Sequence, residues 1–120
     1  MAKNLEISLL LDFYGEMLTS KQHEVIEYYY NDDLSLAEIA DNQGITRQGV
    51  RDSIKRAEFQ LLEMEQRLGL ARRFREMHSG LDQIQKAALQ IQEYNNQFIY
   101  AHEIEENTQT IMDIAQKLSE

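Results

Sequence analysis

The sequence predicts an all-α protein built around a helix-turn-helix, with further helices before and after it. Three observations carry this expectation. The 120 residues contain no proline and only 5 glycines, so little in the chain interrupts a helix. Apolar residues recur three or four positions apart along most of the chain, the periodicity of a helix face. Two of these runs are preceded by Ser/Thr-x-x-Glu/Gln, the capping box that opens a helix. Hydrophobic residues make up 42%, enough to build a core.

The elements follow in order. Leu5 to Leu18 reads as a helix apolar on most sides, which must be buried on most sides and suggests cover by a second copy of the chain. Thr19 with Gln22 opens the next helix, whose inward face carries Val25, Ile26, Tyr28 and Tyr29. The Tyr28-Tyr29-Tyr30 run is expected to pack a core with hydroxyls at its rim rather than to stack bases. Asn31-Asp32-Asp33 is a turn. Ser35 with Glu38 opens a short helix through Ile39 and Ala40, which Gly44 closes in the left-handed conformation. Thr46 caps a helix bearing Val50, Ile54, Ala57, Leu61 and Leu62. Gly69 reads either as a break or as a tolerated glycine, and Ser79-Gly80 as the best later boundary. Beyond it, Leu81, Ile84, Ala88, Ile91, Asn95 and Phe98 are expected to form the seam of one helix. Ile104, Thr108, Ile111, Ala115 and Leu118 are expected to form that of another, after a turn near Asn95 to His102. Asn95 either sets the register of this seam or sits in the turn. The expected division is a helix-turn-helix domain over 1–70 and a C-terminal helical extension over 71–120, which packs on the core or forms a dimer interface.

Composition narrows the function. There is no cysteine, which removes disulfides and thiolate metal sites and suits a reducing cytoplasm. The N-terminus lacks the pattern of a signal peptide, and no apolar run approaches the length of a membrane span. His23, His78 and His102 fall in different elements, and no phosphate-cradling glycine loop or HExxH is present. The expectation is therefore no catalytic residue, no metal and no cofactor. Net charge is −9, which by itself argues against nucleic acid. The distribution reverses that argument: Met1–Gly44 carries −7 and Leu81–Glu120 carries −5, but Ile45–Gly80 carries +3. Local field, more than total charge, decides what docks on a face.

The positive segment contains the helix-turn-helix. In Ser35–Ala57, SLAEIADNQGITRQGVRDSIKRA, Ala40 is the small residue that lets two helices cross closely, and Gly44 makes the sharp turn. Ile39, Ile45, Val50 and Ile54 point inward at the offsets this motif needs. The outer face of the second helix then offers Thr46, Arg47, Gln48, Arg51, Lys55 and Arg56, with Asp52 among them, to phosphates and base edges. Arg47, Arg51 and Lys55 are spaced four apart, on one helical face. Arg67, Arg72, Arg73 and Arg75 downstream either face phosphate as well or pair with Glu58, Glu63, Glu65 and Glu76 on a solvated surface.

Leu18-Thr19-x-x-Gln22, Leu34-Ser35-x-x-Glu38-Ile39-Ala40, Gly44-Ile45-Thr46, Val50 and Arg56-Ala57 resemble region 4 of bacterial sigma factors, which reads promoter DNA. More narrowly, Leu9–Gly15, Tyr28-Tyr29-Tyr30, Asp33–Ala40, Arg47-Gln48-Gly49-Val50 and Ile54-Lys55-Arg56 resemble the YlxM family. These are small helix-turn-helix proteins encoded beside the signal recognition particle GTPase. The resemblance implies a cytoplasmic nucleic-acid-binding protein that assists or regulates the signal recognition particle pathway, its partners being the particle's RNA or its GTPase. It is carried by the residues up to about Leu70; no motif maps onto the acidic segment after Ser79. Two other functions stay open: a DNA-binding transcription regulator, and a protein-interaction module without nucleic acid. A homodimer is expected in each case.

Overall fold

The structure, a computed structural model, describes residues 3–98 and 100–120. Met1 and Ala2, part of the N-terminus read for a leader, and Ile99, inside the turn expected near Asn95 to His102, lie outside them. The described residues form helices and no strands: α1 (Leu5–Tyr14), α2 (Ser20–Tyr30), α3 (Leu36–Gln43), α4 (Arg47–Leu68), α5 (Leu70–Gln97) and α6 (His102–Ser119). They divide into two compact units, Met1–Ala71 and Arg72–Glu120.

In the first unit α4 is the central element, with α1, α2 and α3 packed against it. Asn4 caps α1 by accepting from the Glu6 N–H at 3.0 Å. A 3-10 turn at Gly15–Met17 ends this helix short of Leu18. The expectation that it needs a second copy to cover it is not met. Ile7, Leu10, Leu11 and Tyr14 are buried within the chain itself, Leu9 and Phe13 pack beside them, and Leu5 and Met17 are left exposed. One chain supplies enough cover because three helices converge on α4.

Both capping boxes form. Thr19 Oγ1 accepts from the Gln22 N–H, and Ser35 Oγ accepts from the Glu38 N–H at 3.1 Å, each with the reciprocal side-chain bond. Tyr29 and Tyr30 are buried, their rings edge-to-face at 5.3 Å, and the Tyr30 hydroxyl accepts from the Asn4 N–H at 3.2 Å. The tyrosine run is thus core, with Tyr28 half-buried at its rim and donating to Glu24.

The turn between α3 and α4 is fixed by Gly44, whose φ of +67° is the left-handed region that glycine enters without penalty. The N–H groups of Gly44 and Ile45 both donate to the Ala40 carbonyl, the second at 3.1 Å. Ile39, Val50, Ile54, Ala57 and Leu61 have no exposed surface, so the two helices share one dry core. Truncating a side chain such as Ile54 or Leu61 to Ala costs about 2–5 kcal/mol at sites of this kind.

A polar junction joins α4 to the start of α5. Gly69, at φ +65°, ends α4, so this glycine is a break. The Tyr14 hydroxyl donates to Glu65 Oε1 at 2.8 Å and accepts from the Leu70 N–H at 3.1 Å. The same Glu65 oxygen accepts from the Ala71 N–H at 3.0 Å. A side chain from α1 and one from α4 thereby satisfy two backbone donors that the first turn of α5 leaves open.

In the second unit the boundary expected at Ser79-Gly80 is absent, because α5 runs through it. Gly80 keeps helical backbone, and a glycine inside a helix costs only about 1 kcal/mol relative to alanine. α5 and α6 lie antiparallel, as their cross-helix bonds show: Gln85 Nε2 to Gln116 Oε1 at 3.1 Å, and Gln92 Nε2 to Thr108 Oγ1 and Gln109 Oε1, both at 3.3 Å. Asn95, 3% exposed, grips the connection from both sides. Its Nδ2 donates to the Ala101 carbonyl at 3.0 Å, and its Oδ1 accepts from the Ala101 N–H at 2.9 Å.

The two expected seams are only half right. Ala88, Asn95, Thr108 and Ala115 face inward, with Gln92 beside them. Ile84, Ile91, Phe98, Ile104, Ile111 and Leu118 do not. Small residues let the helices approach along Ala88 and Ala115, and the Gln92–Thr108 bond fixes that rotation. The larger side chains are turned outward as a result.

Candidate nucleic-acid interface

Thr46 opens α4 as its N-cap, its Oγ1 accepting from the Gly49 N–H at 2.9 Å. The hydroxyl is therefore engaged in the cap. The N–H groups of Arg47 and Gln48, in the first turn, have no partner within the helix and lie at its positive end. Gly49 keeps this cap compact: a Cβ there would stand 3.2 Å from Thr46 Oγ1.

Arg47 and Lys55 are exposed and Arg51 is half-buried. Each step of four residues turns about 40° round a helix, so the three heads stay within about 80° of one another. Arg56 stands about 100° beyond Lys55, on another flank. The fold thus brings Arg47, Arg51 and Lys55 together and leaves Arg56, also exposed, apart from them. Among the described residues, none of these four cations has a carboxylate within ion-pair distance.

Gln48 is exposed but not idle. Its Nε2 donates to Asp52 Oδ1 at 2.9 Å, and its Oε1 accepts from Arg51 Nη1 at 3.4 Å. These bonds hold the Arg51 guanidinium along the helix and link it to Asp52 through the Gln48 amide. To read a base edge, the Gln48 amide would first release Asp52. At the far end of the stripe lies Glu58, whose carboxyl is held above the usual carboxylate range by burial, opposed by a hydrogen bond from Tyr30 and by the charge of Lys55. The basic stripe is therefore short and ends at a partly buried acid.

Downstream, Arg67 pairs with Glu63 at 3.0 Å, the solvated-surface reading for that residue. Phe59 and Leu62 are exposed on α4 beyond Lys55, so Leu61 faces the core and Leu62 does not. His23 and His102 each pair with a glutamate one turn on, Glu27 at 3.2 Å and Glu106 at 3.1 Å. Among the described residues, no three His, Asp or Glu side chains converge where they could hold a metal ion, and no helix is long and apolar enough to cross a membrane. The Tyr14–Glu65 junction was not legible beforehand, since its partners are 51 positions apart and neither belongs to a motif.

Comparison with known proteins agrees with this geometry. Residues 1–101 match the family model of UPF0122, described as "Putative helix-turn-helix protein, YlxM / p13 like". A UPF0122 protein of Thermoanaerobacter sp. (strain X514) is 50% identical over 82 residues, 68% of this chain and 70% of that protein. One from Shouchella clausii (strain KSM-K16) is 47% identical over 85 residues, 71% of this chain and 78% of its own. One from Symbiobacterium thermophilum is 49% identical over 81 residues, covering 68% and 76%. The match spans the helix-turn-helix, its capping boxes and the basic face of α4, and the chain belongs to the UPF0122 family of YlxM / p13-like helix-turn-helix proteins.

Proposed function

We propose that this protein binds nucleic acid through the first three turns of α4 and serves the signal recognition particle pathway as an accessory or regulatory factor. One observation supports the binding face above the rest: Arg47, Arg51 and Lys55 occupy successive turns of the second helix of a helix-turn-helix, with no carboxylate within ion-pair distance among the described residues, beside two N–H groups at the helix start. Such a helix presents its N-terminal residues to a groove, with cations and backbone N–H groups reaching phosphates. The pathway assignment rests on the resemblance to the YlxM family. In this reading the protein works in the cytoplasm as a homodimer, by docking and not by catalysis. It engages the particle's RNA, with the particle's GTPase as the protein partner.

The test is a binding titration of the particle's RNA against random duplex DNA, repeated over a salt series. Each phosphate neutralised contributes about −0.7 to −0.9 to the log–log salt slope. Three cations predict a slope of roughly −2 to −3, and Arg47→Ala with Arg51→Ala should flatten it by roughly 1.5. Preference for a defined duplex sequence would instead favour the transcription regulator. Absence of binding to either nucleic acid at low salt would reject the face altogether and turn attention to the GTPase.

A further inference from the structure

The second unit has an outer face that its own two helices do not cover. On α5, Ile84 and Ile91 are 50% and 53% exposed, and Phe98, one residue past the helix end, is 64% exposed. On α6, Ile104, Ile111 and Leu118 are 40%, 43% and 60% exposed. Both triplets run at intervals of seven, the repeat that keeps side chains on one stripe of a packed helix. Tyr94 and Ile114, also exposed, widen the two stripes on corresponding flanks.

Helix geometry puts the stripes on the same side of the hairpin. Relative to the seam marked by Ala88 and Ala115, Ile91 and Ile111 are rotated in the same sense along their own helices. In an antiparallel pair, equal rotations in sequence sense point to one common side. The opposite side is the one where Gln85 meets Gln116 and Gln92 meets Gln109. Asn96, exposed, lies on that opposite side, in line with Gln85 and Gln92.

The interior of the hairpin is small and polar: Ala88, Gln92, Asn95, Thr108 and Ala115. Two helices with such a seam bury little apolar surface, while eight large side chains stay half in water. A contiguous apolar face of this kind exceeds what soluble monomers ordinarily leave open, and a stable pairing needs on the order of 800 Å² per partner. Eight half-exposed Ile, Leu, Phe and Tyr side chains come to that order.

We propose that this face is the homodimer interface, two hairpins joining as a four-helix bundle in which the outward stripes become the core. This rests on the homodimer of the functional reading and supplies its location. Two observations select a second copy as the occupant. The face is self-complementary, as a two-fold interface requires, because its two stripes have the same spacing and nearly the same side chains. Its charge balance is the second: Leu81–Glu120 carries a net −5, yet the positions among and beside the stripes are Gln83, Ala87, Gln90, Asn107 and Thr110, with Glu103 and Lys117, one charge of each sign, in line with Thr110. Charges such as Asp82, Glu93, Glu106 and Asp113 lie round the other side by helix geometry. A second acidic copy therefore meets a surface that carries no net charge. The family match ends at residue 101, just before α6, so the interface draws half its residues from beyond the matched segment.

The test is the mass of the full chain by sedimentation, for the unmodified protein, for Ile91→Glu with Ile111→Glu, and for Asn96→Asp on the opposite side. The expected result is twice 14.1 kDa for the unmodified protein and for Asn96→Asp, and a single 14.1 kDa for the double variant with its helical circular dichroism kept. Cysteines placed singly guard against a variant that fails to fold. Ile104→Cys should react with a maleimide at least tenfold more slowly than Asn96→Cys, and the difference should vanish on dilution below the dimer's dissociation constant. A monomeric unmodified protein would overturn the homodimer itself. A dimer that survives the double substitution, or equal reactivity of the two cysteines, would overturn this face and leave the homodimer standing.

Discussion

Changing Tyr14 to Phe removes one oxygen that does two jobs. In the folded chain it donates to the Glu65 carboxylate at 2.8 Å and accepts from the Leu70 N–H at 3.1 Å, and the residue is 1% exposed. A hydrogen bond to a charged group contributes about 1.5–3 kcal/mol, and a backbone donor left buried without a partner costs about 1–3 kcal/mol. Glu65 keeps the Ala71 N–H, and the phenyl ring keeps its packing, so part of the loss is recovered. The net cost is about 2 kcal/mol, which in a unit of this size lowers Tm by roughly 10 °C. Urea unfolding followed by circular dichroism should show a lower midpoint with an unchanged slope. Hydrogen exchange should show a selective loss of protection at the Leu70 amide. Combining the change with Glu65→Gln should cost less than the two singles together, since they share one bond. A loss below about 0.5 kcal/mol, or a Leu70 amide that exchanges as before, would refute the bridging role.

Gly44→Ala should cost about 1–2 kcal/mol by thermal denaturation, because a Cβ there meets nothing within 4 Å and the penalty is that of the left-handed backbone alone; Gly44→Asn should cost less. Burial, then the Glu65 hydrogen bond, lifts the Tyr14 hydroxyl above its ordinary 10.0, and burial does the same for Tyr30. Folded pKa values above the unfolded one mean that their contribution is complete below pH 10.0 and is lost as pH rises through the folded values. Alkaline titration of Tm should therefore fall more steeply for the unmodified chain than for a variant carrying Tyr14→Phe and Tyr30→Phe. Glu58 has its carboxyl raised by burial, so its charged form opposes folding at neutral pH. Glu58→Gln should stabilise there by less than about 1 kcal/mol, and the gain should disappear below pH 4.5, where the native residue is protonated in both states. Asn95→Asp can still accept from the Ala101 N–H but cannot donate to its carbonyl. Helicity lost from the hairpin at neutral pH should return in acid.

The features legible in the sequence were those made by neighbours in the chain. A capping box joins residues three apart, so Thr19 with Gln22 and Ser35 with Glu38 could be read directly, and Gly44 announced its own backbone. The inward faces of α3 and α4 followed from spacing, as Ile39, Val50 and Ile54 show. The glycines after α4 could not be sorted the same way. Gly69 and Gly80 look alike locally, and what distinguishes them is Tyr14 and Glu65 waiting to receive the helix that starts after Gly69. Spacing also could not say which half of each C-terminal apolar series faces inward. Ala88 and Ile91 fit the same periodicity, and a bond between Gln92 and Thr108, sixteen positions apart, makes the choice. At the basic face, the four-residue spacing correctly grouped Arg47, Arg51 and Lys55. The engagement of Gln48 with Asp52 required side-chain geometry.

The Tyr14–Glu65 junction also sets an order of events during synthesis. α1 leaves the ribosome before α4, yet its apolar face is answered by α4, and its tyrosine closes a bond 51 positions away. Until α4 has emerged, α1 is a greasy segment with no native cover, the kind of stretch that chaperones hold. Once α4 arrives, the loop between them closes and Tyr14 meets Glu65; only then can the first turn of α5 find its two acceptors. α4 is thus the element whose arrival completes the unit, so the basic face takes shape as the chain commits to its fold.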